Sequence, residues 1–321
     1  MPPLLKLILR RLGLGVLTLF LVSLVVFGAT QALPGDPAKA ILGKQSAEKA
    51  RYEALRRQLN LDRPVYVQYE SWLKGVVTGN MGTSLASGTT VTSLIGRKVA
   101  NSFALVLLAA LISIPISLVI GSLSALWRDS AFDLTASVGS LALAALPEFV
   151  IGILLMLLFA TAVTHLLPAV SLIPPGASPW ANWDLLILPV MTLVLAVAPY
   201  ISRILRASMI EVLESDYVQM ARLKGMPERT VLQRHALPNA VIPAIQVSAL
   251  QLAWLAGGVV VVEYLFNYPG IGSAFVDAVN NRDLPVVQAI ALLIAAVYVC
   301  ANLLADILTI LVSPRLRTGL R

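Results

Sequence analysis

Six runs of this chain are long and apolar enough to cross a bilayer: roughly 12–33, 103–126, 134–163, 185–202, 241–265 and 286–312. A spanning helix needs about 20 mostly apolar residues, because the hydrocarbon core is ~30 Å thick and each helical residue rises about 1.5 Å. No water is available inside lipid to bond an open backbone, so lipid-facing runs of this length fold as helices. The expected fold is therefore all-α, a polytopic membrane protein with six transmembrane helices. The third and sixth runs exceed the required length and are expected to tilt or protrude. Composition agrees: 58% of the residues are hydrophobic and 13% are charged, against about a quarter charged in soluble domains. A soluble chain this apolar would expose aggregating patches, and lipid is its natural surrounding.

Lys and Arg in short flanks mark the cytoplasmic side. The head carries Lys6, Arg10 and Arg11, the second–third loop Arg128, and the tail Arg315, Arg317 and Arg321. The fourth–fifth loop carries Arg203, Arg206, Arg222, Lys224, Arg229 and Arg234. The third–fourth loop has neither Lys nor Arg, and the fifth–sixth loop has Arg282 alone. Both termini and the fourth–fifth loop are thus expected in the cytoplasm. This asymmetry accounts for the net charge of +7 without nucleic acid. The first run is long and no small-residue cleavage site follows, which reads as an uncleaved span.

Ten basic residues lie between Lys39 and Lys98, yet loops longer than about 60 residues cross largely regardless of charge. Three parts result: 1–33, the N-terminus and first span; 34–100, an external insert; and 101–321, a five-helix core including the cytoplasmic loop 203–240. Within the insert, "EKARYEALRRQLNL" reads as an amphipathic helix with Ala50, Ala54, Leu55 and Leu59 near one face. "TGNMGTS" reads as turns. Trp180 and Trp183, in the proline-rich third–fourth loop, suit a membrane interface.

No phosphate-binding G-x-x-x-x-G-K-[ST] loop, H-E-x-x-H or G-x-S-x-G occurs, so no nucleotide cradle or hydrolase signature is present. His165 and His235 are expected on opposite sides of the membrane and cannot share a metal. No catalytic residue, metal or cofactor is expected. Cys300, the one cysteine, reads as a buried small hydrophobe.

The fourth–fifth loop holds "DYVQMARLKGMPERTVLQRHALP", Asp216 to Pro238. Ser215 is a good N-cap and Asp216 follows in the first turn. Lys224 and then Gly225 stand where a helix would end. Pro227 suits the start of a second helix and Pro238 its end. On that second helix Val231, Leu232, His235 and Ala236 fall on one side, with Arg229, Thr230, Gln233 and Arg234 on the other. A helix this short is marginal alone, so it should dock on something. Six basic and four acidic side chains in 203–240 make a weak field for phosphate, which argues against DNA. A lipid-bound helix would carry more bulky apolar residues. Mixed charge favours a cytoplasmic protein.

The stretch resembles the coupling loop of ABC importer permeases, with its pattern E-A-A-x-x-x-G-x9-I-x-L-P. Ala221, Gly225, Leu237 and Pro238 match it, while Gln219, Met220 and His235 depart from it. "LNLDRPVYVQYESWL", "GNMGTSLASG", "RHALPNAVIPAI" and "VVVEYLFNYPGIG" resemble the dipeptide/oligopeptide permease family over nearly the whole chain, in particular the first of its two permease subunits. The resemblance implies an ABC type I importer-like fold in a bacterial cytoplasmic membrane. It further implies a second homologous permease subunit, two cytoplasmic ATP-binding subunits, an external substrate-binding protein and a peptide substrate. Residues 227–238 would then be the coupling helix. The ATPase-coupling residues would be Asp216, Tyr217, Gln219, Ala221, Gly225, Glu228, Arg229, Leu237 and Pro238.

Acidic residues in the spans are costly and face protein or water. Asp306 is near the inner end of the sixth run and reads as near-interfacial. Glu148 falls near the middle of the third run, after Pro147. It reads either as a translocation-pathway residue meeting a cationic amine or as a packed polar contact. Glu263, near the outer end of the fifth run, reads either as part of an external gate or as an interfacial anchor. The alternative class is a secondary transporter or channel working without ATPases, which would show inverted repeats or several intramembrane ionisable groups.

Overall fold

Small residues decide which helices come closest. Ser113, Ser117, Gly121 and Ser124 repeat at helical spacing along one face of the second span, and all four are buried. A Cβ at Gly121 would lie 2.6 Å from the Ser202 carbonyl oxygen of the fourth span. The Ser117 hydroxyl bonds the carbonyls of Ser113 (2.6 Å) and Ala198 (3.2 Å). Stripes of small residues let membrane helices approach backbone to backbone. They place the fourth span at the centre of the bundle, with Leu193, Ile201 and Leu205 fully buried.

A computed structural model describes residues 3–32, 49–58, 62–174 and 176–312. Twelve α-helices follow in order among them: α1 (Pro3–Ala32), α2 (Lys49–Gln58), α3 (Val65–Val77), α4 (Val91–Leu126), α5 (Ala131–Ala144), α6 (Glu148–Met156), α7 (Ile187–Leu213), α8 (Asp216–Leu223), α9 (Glu228–Thr230), α10 (Leu237–Leu265), α11 (Ile271–Asn280) and α12 (Leu284–Val312). π-helical turns follow α6 at Leu157–Thr161 and α9 at Val231–Ala236. The described residues form no strand, only one bridge between Thr83 and Thr90. The all-α expectation and the spans α1, α4, α7, α10 and α12 hold.

The third span departs from the expectation of one long tilted helix. It is broken, and its halves α5 and α6–Thr161 meet at 108°. Pro147 is the cause, because proline disfavours a helical conformation in the residue before it and starts a new helix at its own position. The Tyr200 hydroxyl donates to the Ala144 carbonyl at the break, at 3.2 Å. The second span begins at Val91, twelve residues before the expected 103.

Two helices, α3 and α11, were not expected. Tyr69 and Trp72 of α3 pack on Phe27 of α1. Ile271, Ala274 and Ala278 of α11 join Val91, Ile95, Val286 and Ile290 in a small core of their own. In the insert, α2 forms as expected; of the four residues on which its apolar face was argued, Ala50 is exposed, and the side chains of Ala54, Leu55 and Leu59 lie outside the described residues. So do Arg315, Arg317 and Arg321 of the tail. Cys300 is exposed, not buried, on the side of α12 where Val297 and Leu304 are exposed too. Trp180 and Trp183 are exposed.

Side-chain bonds fix the two ends of the bundle. At one end Arg11 of α1 pairs with Asp306 of α12 at 3.0 Å, and Arg128 meets Glu214 below α7 at 2.6 Å. At the other end the Gln288 amide donates to Thr30 at 2.7 Å, both buried.

Candidate functional site

The loop 203–240 forms a compact unit at the Arg11–Asp306 end. α7 runs into it, α8 and α9 form an angled pair, and α10 leaves it. Val218, Ala221 and Val231 are buried together, backed by Val212, Leu213 and Met226. Val231 and Ala236 are fully buried while Arg229, Gln233 and Arg234 are exposed, the sidedness expected from the sequence. Gly225 has φ +74°, a conformation disfavoured for residues with a Cβ. Its surroundings are otherwise open: an added Cβ would meet no atom within 4 Å. The glycine serves the backbone turn, not close docking of the two helices.

Hydrogen bonds hold the turn. Arg222 grips Glu228 across it in a two-point pair, Nε to Oε2 at 3.1 Å and Nη2 to Oε1 at 2.6 Å. Tyr217 reaches the His235 carbonyl at 3.4 Å. Gln219 reaches back to the end of α7, donating to the Glu214 carbonyl at 3.0 Å. Ser215 occupies the N-cap, but its hydroxyl donates to the Val212 carbonyl rather than accepting from α8. Asp216 lies exposed in the first turn of α8, where a carboxylate suits the helix dipole.

Pro238 does not end the second helix. The chain passes from α9 through the π turn into α10 as one continuous helix, with Pro238 in the first turn of α10 and Leu237 packed against the main core. A proline lacks the amide a continuing α-helix would use, and the wider π turn just before it re-routes those bonds. What remains uncovered on this unit has mixed chemistry: Tyr217, Met220 and Leu223 are exposed at 45, 53 and 80%, and Arg229 and Arg234 are exposed as well.

The sequence reading missed the anchor of this unit. Asp133, in the first turn of α5, is 3% exposed. Its carboxylate accepts from Arg206 Nε at 2.5 Å and Nη2 at 2.6 Å, and from the Asp129 amide at 3.0 Å. Every oxygen of this buried charge is occupied, and the pair ties the second–third loop to the base of α7. Two signals existed: the S-x-x-D capping pattern at Ser130–Asp133, and Arg206 inside an apolar helix.

At the opposite end Glu263 is fully buried. Its Oε2 accepts from the Gly272 amide at 2.6 Å, and Oε1 has no hydrogen-bond partner among the described residues. A Cβ at Gly270 would fall 2.2 Å from this carboxylate. The segment is stitched to α4 as well: Asn101 donates to the Pro269 carbonyl at 2.8 Å, Tyr268 to the Asn101 carbonyl at 2.9 Å, and the Ile271 amide to Ser102 at 2.8 Å. Such burial excludes a simple interfacial anchor. Asp283, also buried, accepts from the Ser84 hydroxyl and from the Leu85 amide at 3.0 Å. Glu148 is half-buried at the start of α6, not mid-helix, and makes no hydrogen bond or ion pair among the described residues. No bond joins it to Glu263.

Comparison with known sequences agrees with this architecture. Residues 117–318 match the family described as binding-protein-dependent transport system inner membrane component. Residues 4–118 match the N-terminal component of such membrane proteins. The chain is 37% identical over 313 residues to a probable peptide ABC transporter permease protein, y4tP, of Sinorhizobium fredii, covering 97% of this chain and 98% of that protein. It is 38% identical over 311 residues to the glutathione transport system permease protein GsiC of Pectobacterium atrosepticum (96 and 97%). It is 36% identical over 308 residues to GsiC of Escherichia coli K12 (96 and 97%). With both halves matched, and a long cross-bundle helix carrying the loop 203–240, the chain belongs to the binding-protein-dependent inner membrane components, the permeases of ABC importers.

Proposed function

We propose that this chain is one of two homologous permease subunits in an importer for peptides or peptide-like solutes such as glutathione. Both termini and residues 203–240 face the cytoplasm, and residues 34–100 face outward, toward a substrate-binding protein. ATP is hydrolysed on two separate ATP-binding subunits, one of which receives the patch of Tyr217, Met220, Leu223, Arg229 and Arg234. Asp216, Gln219, Ala221, Gly225, Glu228, Leu237 and Pro238 shape that patch or lie at its edge. Glu148, half-buried and without a bonded partner among the described residues, lines the pathway near the break in the third span.

One observation carries this reading. The patch belongs to a short unit that is continuous with two spans, α7 entering it and α10 leaving it, so a push on it reaches the bundle. Gly225→Val tests it. The strained turn costs about 1 kcal/mol or more and leaves the spans inserted. It should abolish transport, either by losing the ATP-binding subunits or by uncoupling hydrolysis. Ala86→Arg, exposed in the insert on ordinary backbone, should do neither. Normal transport by Gly225→Val with full ATPase binding would remove the unit from the coupling path. Orientation is checked in a Cys300→Ala background: an impermeant thiol reagent on intact cells should label cysteines at Ser87 and Ser178 and spare one at Leu223.

A further inference from the structure

Helix α3 descends alongside α1 instead of standing clear of the bundle. Gln68 bonds Gln31 at 3.0 Å. One turn further, Trp72 stacks on Phe27 and the Tyr69 hydroxyl meets Ser23 at 2.8 Å. At its far end Val76 and Val77 share a cavity of about 380 Å³ with Phe20 and Ser23 of α1 and with Leu293 of α12. Residues 8–32 of α1 form the spanning run, so Phe20 is at its middle. The α1–α12 bonds give the same scale. From Arg11–Asp306 to Thr30–Gln288 is nineteen residues of α1, about 28 Å at helical rise, close to a hydrocarbon core. The C-terminal half of α3 therefore lies inside that thickness.

Its sidedness at this depth is reversed. Leu73 and Val76 turn toward α1 and α12, while Glu70, Lys74 and Thr78 are exposed in a row at i, i+4 and i+8, with Val77 exposed beside them. The chain then turns through Gly79 (φ +81°) and returns to the Thr30–Gln288 level, where Asn80 and Gly82 line a cavity with Gln31, Pro285 and Gln288. Lipid does not accept the Glu70–Lys74 face. Ionisable side chains at membrane depth face protein or a water-filled cavity.

We propose that the Glu70–Lys74–Thr78 face of α3 borders the water-filled solute route of the permease, at the end opposite α8. Members of an opposite-charge pair on one face would present partners to both ends of a zwitterionic solute. This inference rests on membership of the permease family and on the depth of α3, not on the coupling role of 203–240 or the nature of the cargo.

Electron paramagnetic resonance on the assembled transporter in lipid nanodiscs tests it. Single cysteines replace Lys74, Thr78 and, as lipid-facing control, Val25, in Cys300→Ala, and each carries a nitroxide. Collision with a water-soluble nickel chelate should exceed collision with oxygen at 74 and 78, and the order should reverse at 25. Oxygen dominating at 74 and 78 would place the face in lipid, and low collision with both would place it against protein; either result overturns the proposal. As a second readout, coupling the Lys74→Cys thiol to a charged methanethiosulfonate should cut transport at least tenfold with the complex still assembled, whereas the same reagent at Val25→Cys should leave transport within twofold. Unchanged transport at position 74 would count against it.

Discussion

Asp133 and Glu263 are both carboxylates sealed from solvent, at opposite ends of the same bundle, and they are kept there by different means. Asp133 meets a guanidinium with two-point geometry and joins elements 73 residues apart in sequence. Glu263 has no ion-pair partner among the described residues; it is enclosed by its own neighbourhood, where Gly270 and Gly272 come up against it. The first is a strut between helices, and its strength lies in a matched charge. The second is a peg that shapes a loop, and its strength lies in fit. Removing charge should therefore harm the first site and spare the second, while adding volume should harm the second.

The largest effect is expected from Asp133→Ala. It strands the Arg206 guanidinium and should cost about 3 kcal/mol or more, read as a lower thermal midpoint of the purified complex. Arg206→Met added to it should recover most of that loss, since replacing both members of a buried pair by apolar groups is often near neutral. A double variant as unstable as the single one would mean that the strut is not an ion pair in function. Next comes Gly270→Ala. The new methyl overlaps a carboxylate that has nowhere to retreat, and overpacking of this kind costs about 1–3 kcal/mol. Proteolysis at residues 267–273 should speed up while the α8 end stays protected. Equal protection at both ends would dissolve the contrast. The smallest is Glu263→Gln, below about 1 kcal/mol, because the amide oxygen can still accept from Gly272 and relief of a buried charge offsets the unpaired N–H that the amide brings. If it proved as damaging as Asp133→Ala, charge would matter equally at both ends.

Much of this was legible in the sequence, and the failures share a cause. Length and hydropathy locate the spans because lipid imposes the same requirement on each. Ser215 and Gly225 mark the ends of α8 because helix boundaries are set locally, although the Ser215 hydroxyl turns to Val212 instead of capping. The break at Pro147 was invisible to a hydropathy window, since "ALPEFV" is nearly as apolar as what surrounds it; only the Leu–Pro step marks it. α3 and α11 are short helices whose burial depends on partners far away in the chain, Phe27 for one and Val91 for the other. Asp133 reads as a solvated loop residue until α7 brings Arg206 to it. Glu263 was conspicuous as an acid in an apolar run, but its task is set by two glycines whose approach no periodicity announces. Pro238 misled because its rule assumes α-helical bonding, and the turn ahead of it is not α-helical.

That π turn sets a phase. A single-turn π insertion accommodates roughly one more residue than the α-helix it interrupts, and each residue of an α-helix turns through about 100°. If residues 231–236 passed as ordinary α-helix, the side of α9 carrying Arg229 would swing about 100° around the axis of the fifth span and advance about 1.5 Å, with neither helix broken. The angle between the face offered to a partner and the face offered to the bundle is thus stored in six residues.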